Sequence, residues 1–188
     1  MKFSAIFAGL SLSLITASAF HIPEGTPDGV YSVRTYPNGT EVHTRLSGPA
    51  PVTRRNAHQK RITIDSTACY PSEGTEELDN ASTDAANAAL QAQCGDGAEI
   101  DGYDDIYSIS ACVVAYACNF SAPDEAPYAP YPVFCYRSDS IAANQAITQA
   151  CGAYKPGSVL DGPNDYLISY GYESYCTAKG HNFCGRGA

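Results

Sequence analysis

The sequence predicts an α+β fold, a single disulfide-rich domain in which two helices pack on one face of an antiparallel sheet. Three observations support this fold class. All eight cysteines lie between residues 69 and 184, two alanine-rich segments with helical periodicity both end in Cys-Gly, and β-rich runs flank each of these segments. The predicted element order is β-α-β-β-α-β, which is the split βαβ arrangement.

The two predicted helices share an internal repeat. Residues 85–95 and 142–152 are identical at six of eleven positions, and both follow residues that commonly cap helices. Small side chains recur at i, i+3 and i+4 in both segments, so each helix can lie close to a sheet. Gly95 and Gly152 suit the left-handed position that ends a helix.

The predicted strands come from apolar runs around these helices. Residues 61–70 precede the first helix, and residues 166–176 form the last run. Residues 106–118 are too long for a typical strand, so we expect them to fold back near Ser110-Ala111 as a hairpin. Asp-Gly pairs at 101–102 and 161–162 indicate loops before the runs that follow each helix.

Residues 1–19 read as a signal peptide. A lysine precedes the apolar run 3–16, and Ala17-Ser18-Ala19 is a small-residue cleavage site, with Ala19 as the last residue removed. The apolar run is shorter than the roughly 20 residues that a membrane helix needs. No later stretch is apolar enough to span a membrane, so the sequence predicts a secreted, extracellular product.

Residues 20–61 differ from the rest of the chain and are predicted to be a basic propeptide or a flexible arm. They contain no cysteine and carry six bases against three acids, whereas residues 62–188 carry four bases against seventeen acids. The segment ends in the dibasic pair Lys60-Arg61, a typical secretory processing site. The alternative is a basic linker that stays attached. Alternating residues around Asn38-Gly39 predict a hairpin within this segment.

The folded body is therefore expected to begin near residue 62. In an exported domain, an even number of cysteines predicts a disulfide framework, although the sequence leaves 105 connectivities open. Pairing of Cys118 with Cys135 would staple the intervening loop, and Cys94 and Cys151 are expected to bond to neighbouring strands or chain ends. The cysteines of the framework are Cys69, Cys94, Cys112, Cys118, Cys135, Cys151, Cys176 and Cys184.

The sequence offers little for metal binding or catalysis. It has no C-x-x-C pair, and the acidic run 101–105 reads as solvated loop charge rather than as a calcium site, so no metal or cofactor is predicted. After Arg61 the only histidine is His181, and G-x-S-x-G is absent. A hydrolase using His181 with a carboxylate is an alternative, but no catalytic residue is assigned.

Sequons place potential N-glycans at three positions, each of which could be modified if its side chain were exposed. These positions are Asn38, Asn80 and Asn119.

Tyrosines are the candidate contact residues. The proline-rich segment 122–132 is predicted to be an extended loop that displays Tyr128 and Tyr131, with Tyr136 beside it. The tyrosines of the last run are expected to fill the sheet instead; they are Tyr166, Tyr170 and Tyr172. The formal charge of −13 for residues 62–188 argues against nucleic acid and anionic membranes as partners.

The signal peptide, the basic leader ending in Lys60-Arg61 and the eight-cysteine body together resemble the small cysteine-rich secreted proteins of filamentous fungi, many of which are effector candidates. The helix–Cys-Gly segments and the run 166–176 are also distantly similar to the α/β-sandwich killer toxins of smut fungi. This resemblance covers residues 62–184 and implies a fold class and a role against a host or competitor. It implies no site residues.

The resulting hypothesis is a secreted, non-catalytic, monomeric protein that binds an unknown protein or glycan outside the cell. Besides the hydrolase, the sequence leaves open a structural protein of the cell wall.

Overall fold

A computed structural model describes residues 20–36, 38–48, 62–70, 77–121, 131–162, 168–177 and 183–184 of the 188-residue chain. These residues form an α+β fold. The elements in chain order are β1 (Gly29–Thr35), β2 (Glu41–Arg45), β3 (Ile64–Cys69), α1 (Asn80–Cys94), β4 (Ala98–Ile100), β5 (Asp104–Ser110), β6 (Val113–Asn119), β7 (Val133–Cys135), α2 (Arg137–Cys151), β8 (Gly157–Asp161) and β9 (Ile168–Ser174).

Seven strands form one sheet in the order β2-β1-β5-β6-β9-β8-β3, and β4 pairs with β7 in a second, short sheet. Every pair among the described strands is antiparallel. The predicted fold class is thus confirmed, but the β-α-β-β-α-β order is not. An additional strand, β8, lies between α2 and β9, because the segment interpreted as a loop before Asp161 pairs with both β3 and β9.

The two helices follow the internal repeat. Each spans 15 residues, and they end at the equivalent cysteines Cys94 and Cys151. Both begin before the repeated segments, at Asn80 and Arg137. Asp79 caps α1, since its carboxylate accepts hydrogen bonds from the backbone N–H and the hydroxyl of Ser82.

The sheet carries a separate core on each face. The core under the helices, which we call the helix-side core, joins Leu90 of α1 and Ile147 of α2 to alternate residues of the central strands. The opposite core contains ten buried residues: Phe20, Tyr31, Val33, Tyr107, Ile109, Val114, Tyr116, Cys118, Phe183 and Cys184. Because side chains alternate along a strand, β5 and β6 supply both cores from successive residues.

The hairpin predicted around Asn38-Gly39 is present as β1 and β2. It is not a separate arm, because β1 pairs with β5 over six registered positions and its Tyr31 and Val33 enter the opposite core. Phe20 is fully buried and exchanges two backbone hydrogen bonds with Phe183. The described fold therefore includes residues that precede residue 62. Cleavage after Arg61 stays a prediction, since Lys60 and Arg61 lie outside the described residues.

The second predicted hairpin is confirmed. β5 and β6 are joined at Ala111-Cys112, where Ala111 has a positive φ of 49°. The carboxylate of Asp28, from the segment before β1, accepts the Ala111 N–H through both oxygens at 3.0 Å. The N-terminal segment thus stabilises a turn that belongs to the centre of the sheet.

All eight cysteines are paired, as Cys69–Cys151, Cys94–Cys135, Cys112–Cys176 and Cys118–Cys184. The suggested pair of Cys118 with Cys135 is wrong, because Cys118 is bonded to Cys184 and Cys135 is bonded to Cys94. The expectation that Cys94 and Cys151 bond to neighbouring strands is confirmed. Cys94, at the end of α1, is bonded to Cys135, the last residue of β7, and β7 precedes α2. Cys151, at the end of α2, is bonded to Cys69, the last residue of β3, and β3 precedes α1.

Candidate functional site

Three exposed tyrosines gather at one end of the large sheet. Tyr36 follows β1, Tyr103 precedes β5, and Tyr131 precedes β7, and their exposed fractions are 45%, 41% and 38%. We call this group the tyrosine rim. Large exposed aromatic side chains that share one end of a domain are typical of contact surfaces, since tyrosine offers both an apolar ring and a hydroxyl.

Backbone pairing positions the first two members of the rim. Antiparallel pairing brings the end of β1 beside the start of β5, with Arg34 opposite Asp104. The N–H of Thr35 then donates to the carbonyl of Tyr103 at 3.0 Å. Tyr36 and Tyr103 are therefore close in space although 67 positions separate them in the sequence.

Asn119 connects Tyr131 to the same end. Its side-chain Nδ2 lies 2.9 Å from the carbonyl oxygen of Tyr131 and 3.0 Å from that of Asp101. The hydroxyl of Ser121 also donates to the Tyr131 carbonyl. Asn119 is only 6% exposed, so this buried amide fixes the backbone that carries Tyr131 against the loop before β5.

An ion pair lies within the rim. The Arg34 Nε is 2.5 Å from Asp104 Oδ1, and its Nη2 is 2.9 Å from Asp101 Oδ2. The hydrogen bond and charge of Asp104 raise the pKa of Arg34 above its ordinary range, so the guanidinium is always charged. The carboxylates of Asp101 and Asp104 and the guanidinium of Arg34 together give the surface at the rim a formal charge of −1.

The tyrosines that the sequence predicts as contact residues do not all lie in the rim. Tyr131 is a member of the rim, whereas Tyr128 lies outside the described residues. Tyr136 is half-buried at the start of α2, and its ring lies so close to Gly97 that a Cβ there would come within 2.8 Å of it. Tyr170 and Tyr172 are buried in the helix-side core, in agreement with their interpretation as sheet filling, and Tyr166 lies outside the described residues.

The remaining predicted sites have mixed outcomes. Asn38 and Asn80 are exposed, but the buried Nδ2 of Asn119 is occupied by three carbonyl groups. The folded structure therefore has no room for a glycan on Asn119. Ala19 and His181 lie outside the described residues, so neither signal cleavage nor the hydrolase alternative is tested.

The acidic run 101–105 is solvated only in part. Asp101 and Asp104 contact Arg34, but Asp105 points to the other side of β5 and is 1% exposed. Its Oδ1 accepts the Asn119 N–H at 2.8 Å, and its Oδ2 has no hydrogen-bond partner among the described residues. Burial raises the pKa of Asp105 to about 8, with smaller contributions from the charges of Asp104 and Glu41, against the opposing effect of the Asn119 bond.

Asp105 also lies beside a disulfide. One carboxylate oxygen of Asp105 and the Sγ atoms of Cys118 and Cys184 lie within 4.8 Å of one another. Because the two sulfur atoms are bonded to each other, they are not thiolates and do not form a metal site with Asp105. The structure contains no free cysteine, so a thiol nucleophile is excluded in this oxidised state.

A second polar cluster lies where β2 meets the opposite core. The Nδ1 of His43 is 2.8 Å from the hydroxyl of Tyr107, and its Nε2 is 3.6 Å from a carboxylate oxygen of Glu41. Burial lowers the pKa of His43, although Glu41 acts in the opposite direction. Tyr107 is fully buried and stacked between Phe20 and Tyr31, which identifies the cluster as part of the core rather than as an accessible site.

No helix in the described parts of the chain is long and apolar enough to cross a membrane. Comparisons with known proteins found no matching family model, no matching curated protein and no matching solved structure.

Proposed function

We propose that the chain is a secreted, non-catalytic, disulfide-stabilised protein that binds a protein or glycan outside the cell, in the manner of an effector or toxin. The observation that carries this proposal is the tyrosine rim. Its three rings are exposed, yet the backbone beneath them is held by β1–β5 pairing and by Asn119. Rigid aromatic anchors of this kind bind with little loss of conformational entropy.

The four disulfides support the extracellular part of the proposal, because such bridges persist in oxidising compartments. The rim charge of −1 and the net charge of −9 for the whole chain favour a neutral or basic partner. Tyrosine rings beside carboxylates suit two such partners, the CH face of a neutral sugar and a basic peptide segment.

The test is alanine substitution of Tyr36, Tyr103 and Tyr131 together. Purified full-length protein is screened against immobilised glycans and extracellular proteins, and the affinity of the best target is measured for each variant. We expect the triple variant to bind at least about tenfold more weakly with an unchanged melting temperature, because hot-spot tyrosines each contribute more than about 1 kcal/mol.

Ile141→Ala is the matched control, since this α2 side chain is 39% exposed and lies outside the rim. Its affinity should equal that of the wild type. Phenylalanine at the three positions then separates ring stacking, which it preserves, from hydrogen bonding by the hydroxyl groups. Binding that survives the triple alanine substitution would remove the rim from the proposal.

A further inference from the structure

We propose that Cys118–Cys184 is a reducible disulfide and that Asp105 is the proton donor when an external dithiol opens it. The geometry is specific to this bridge. Among the described residues, no other carboxylate lies within 4.8 Å of both sulfur atoms of a disulfide. Asp105 is also the direct register partner of Cys118 across the β5–β6 pair, so the sheet itself fixes the contact.

The hydrogen bonding of Asp105 leaves one oxygen for this role. Oδ1 is held by the Asn119 N–H, whereas Oδ2 is buried and has no partner among the described residues. A buried carboxyl group that lacks a cationic partner retains its proton at neutral pH, which is the form that can donate. An unpaired ionised oxygen would be costly at this position.

The two sulfur atoms of the bridge differ in their surroundings. Cys118 is fully buried in the middle of the sheet, whereas Cys184 is 5% exposed and lies four residues from the end of the chain. Cys184 also has a positive φ of 65°, a conformation that residues other than glycine rarely adopt. Cys184 is the less deeply buried of the two, so we expect the external thiolate to attack its sulfur and the sulfur of Cys118 to leave.

The reaction is balanced as a thiol–disulfide exchange. A thiolate of the dithiol attacks Sγ of Cys184 and forms a mixed disulfide, and the electron pair of the broken S–S bond leaves on Sγ of Cys118. Asp105 transfers its proton to that sulfur and is reprotonated by solvent. The second thiol of the reagent then releases Cys184, which takes a proton from solvent, and the reagent leaves as a cyclic disulfide.

Proton transfer has its greatest effect in apolar surroundings such as these. The leaving sulfur lies in the opposite core with Phe20, Tyr116 and Phe183, where a thiolate would be poorly solvated. Opening the bridge removes the covalent tether of Phe183, whose two backbone hydrogen bonds hold Phe20. Reduction would thus leave the contact between Phe20 and Phe183 held only by its two hydrogen bonds and by packing.

Several ionisable groups surround Asp105 on the neighbouring elements. Among the described residues they are Glu41 and His43 of β2, Arg34 of β1, and Asp104 and Tyr107 of β5 itself. Tyr116 of β6 and Glu173 of β9 are buried on the same face of the sheet. Arg34 is bound by Asp104, His43 has a lowered pKa and Tyr107 a raised one. Burial raises the pKa of Asp105 to about 8, so its charge is expected to change near this pH.

The experiment measures how fast each bridge opens at each pH. Full-length protein receives short pulses of dithiothreitol from about pH 6 to about pH 9, the thiols are alkylated, and peptide masses report each cysteine. Rates are divided by the thiolate concentration of the reagent. Cys69–Cys151 and Cys112–Cys176, each of which contains one exposed cysteine, serve as internal controls. We expect only the rate per thiolate of Cys118–Cys184 to fall above about pH 8, as Asp105 loses its proton.

Asp105→Asn should slow the opening of Cys118–Cys184 by about tenfold or more, because an amide cannot donate the proton in the same way. It should also abolish the fall in the rate per thiolate above about pH 8. Asp65→Asn is the matched control, because this exposed carboxylate lies on the edge strand β3, and it should leave both unchanged. If Asp105 acted only through its charge, Asp105→Asn would open the bridge faster than the wild type, since removing a carboxylate would speed the approach of a thiolate. An Asp105→Asn rate equal to or above the wild-type rate overturns the proposal.

If Asp105→Asn does not fold, the pH dependence of the opening rate in the wild-type protein tests the proposal. A rate per thiolate that stays level across this pH range, or an opening rate that does not depend on reagent concentration, overturns the proposal. The second result would mean that the bridge opens only after global unfolding.

Discussion

At the scale of the residue, Asp105 makes the stability of the fold depend on pH in an unusual direction. Its pKa is raised from 3.8 in the unfolded chain to about 8 in the folded structure, so the folded state binds the proton more tightly. The stabilisation from this group is complete below about pH 4 and is lost as the pH rises through 8. Most paired carboxylates have the opposite effect.

We therefore expect Asp105→Asn to reduce the pH dependence of the unfolding free energy. The amide oxygen can still accept the Asn119 N–H, and the side chain carries no charge at any pH. The difference in unfolding free energy between the variant and the wild type should grow between about pH 4 and about pH 8, by at most about 1.4 kcal/mol per pH unit. Urea unfolding at several pH values measures it. A constant difference would contradict the raised pKa.

Gly171 is a second residue whose role follows from one contact. It lies opposite Tyr116 in the β6–β9 pair, and a Cβ at this position would come within 2.5 Å of the Tyr116 hydroxyl oxygen. Tyr116 is buried, so its ring cannot move aside without disturbing the opposite core. The absence of a side chain at position 171 therefore allows the tyrosine to lie across β9.

Gly171→Ala should destabilise the protein by about 1–3 kcal/mol through overpacking. The measurement is urea unfolding, with Ser169→Ala on the same strand as the control. In a Tyr116→Leu background the same glycine substitution should cost less, because the ring that it meets is gone. Equal costs in both backgrounds would show that the contact with Tyr116 is not the cause.

At the scale of the element, the two helices are equivalent in length and in their cysteine ends but not in their caps. Asp79 accepts two hydrogen bonds at the start of α1, whereas Tyr136 precedes α2 and makes no side-chain cap bond. The position before α2 instead serves packing, since the Tyr136 ring lies against Gly97. The two helices therefore share their length and the position of the bridged cysteine but differ at their N-termini.

The sequence predicted the elements whose pattern is local. Both helices, the β1–β2 hairpin and the β5–β6 hairpin follow from spacing and turn residues within short windows. β8 was missed because Gly157 and Asp161 bound a strand of only five residues. Gly157 is required there, since a Cβ would lie 2.6 Å from the Ala68 carbonyl oxygen on β3.

The candidate site was harder to predict because it depends on long-range pairing. Tyr131 was identified from its proline-rich context, but Tyr36 and Tyr103 meet only when β1 pairs with β5. The buried Asp105 was missed for a related reason. Three acids in five residues resemble a solvated loop, and only the strand alternation of β5 turns Asp105 away from Asp104 and into the core.

At the scale of the whole molecule, the part of the N-terminal segment that the structure describes between residues 20 and 46 pairs with the central sheet and packs into its core. Charge and cysteine content suggested a boundary near Arg61, because both change there. Neither property reports hydrogen bonding between distant strands. β1 covers one edge of β5, and Phe20, Tyr31 and Val33 supply part of the opposite core.

If a protease cuts after Arg61, we therefore expect a two-chain protein rather than loss of residues 20–61. The hydrogen bonds of β1 and the burial of three large side chains should hold the fragment without a covalent link. Native mass spectrometry or size exclusion should show one species, and denaturing electrophoresis should show two. A variant with glutamine at Arg54, Arg55, Lys60 and Arg61 is the uncut control. Release of the fragment from a folded body would contradict the expectation.

The disulfide pattern has a further consequence for the rest of the chain. The four bridges overlap in sequence, so every peptide bond between Cys69 and Cys184 is spanned by at least one of them. Hydrolysis of any single peptide bond in this region adds one water to the intact mass and separates nothing. The molecule can therefore be nicked by a protease at any one position in this region and still remain one covalent particle, a tolerance that the cysteine-free N-terminal segment does not share.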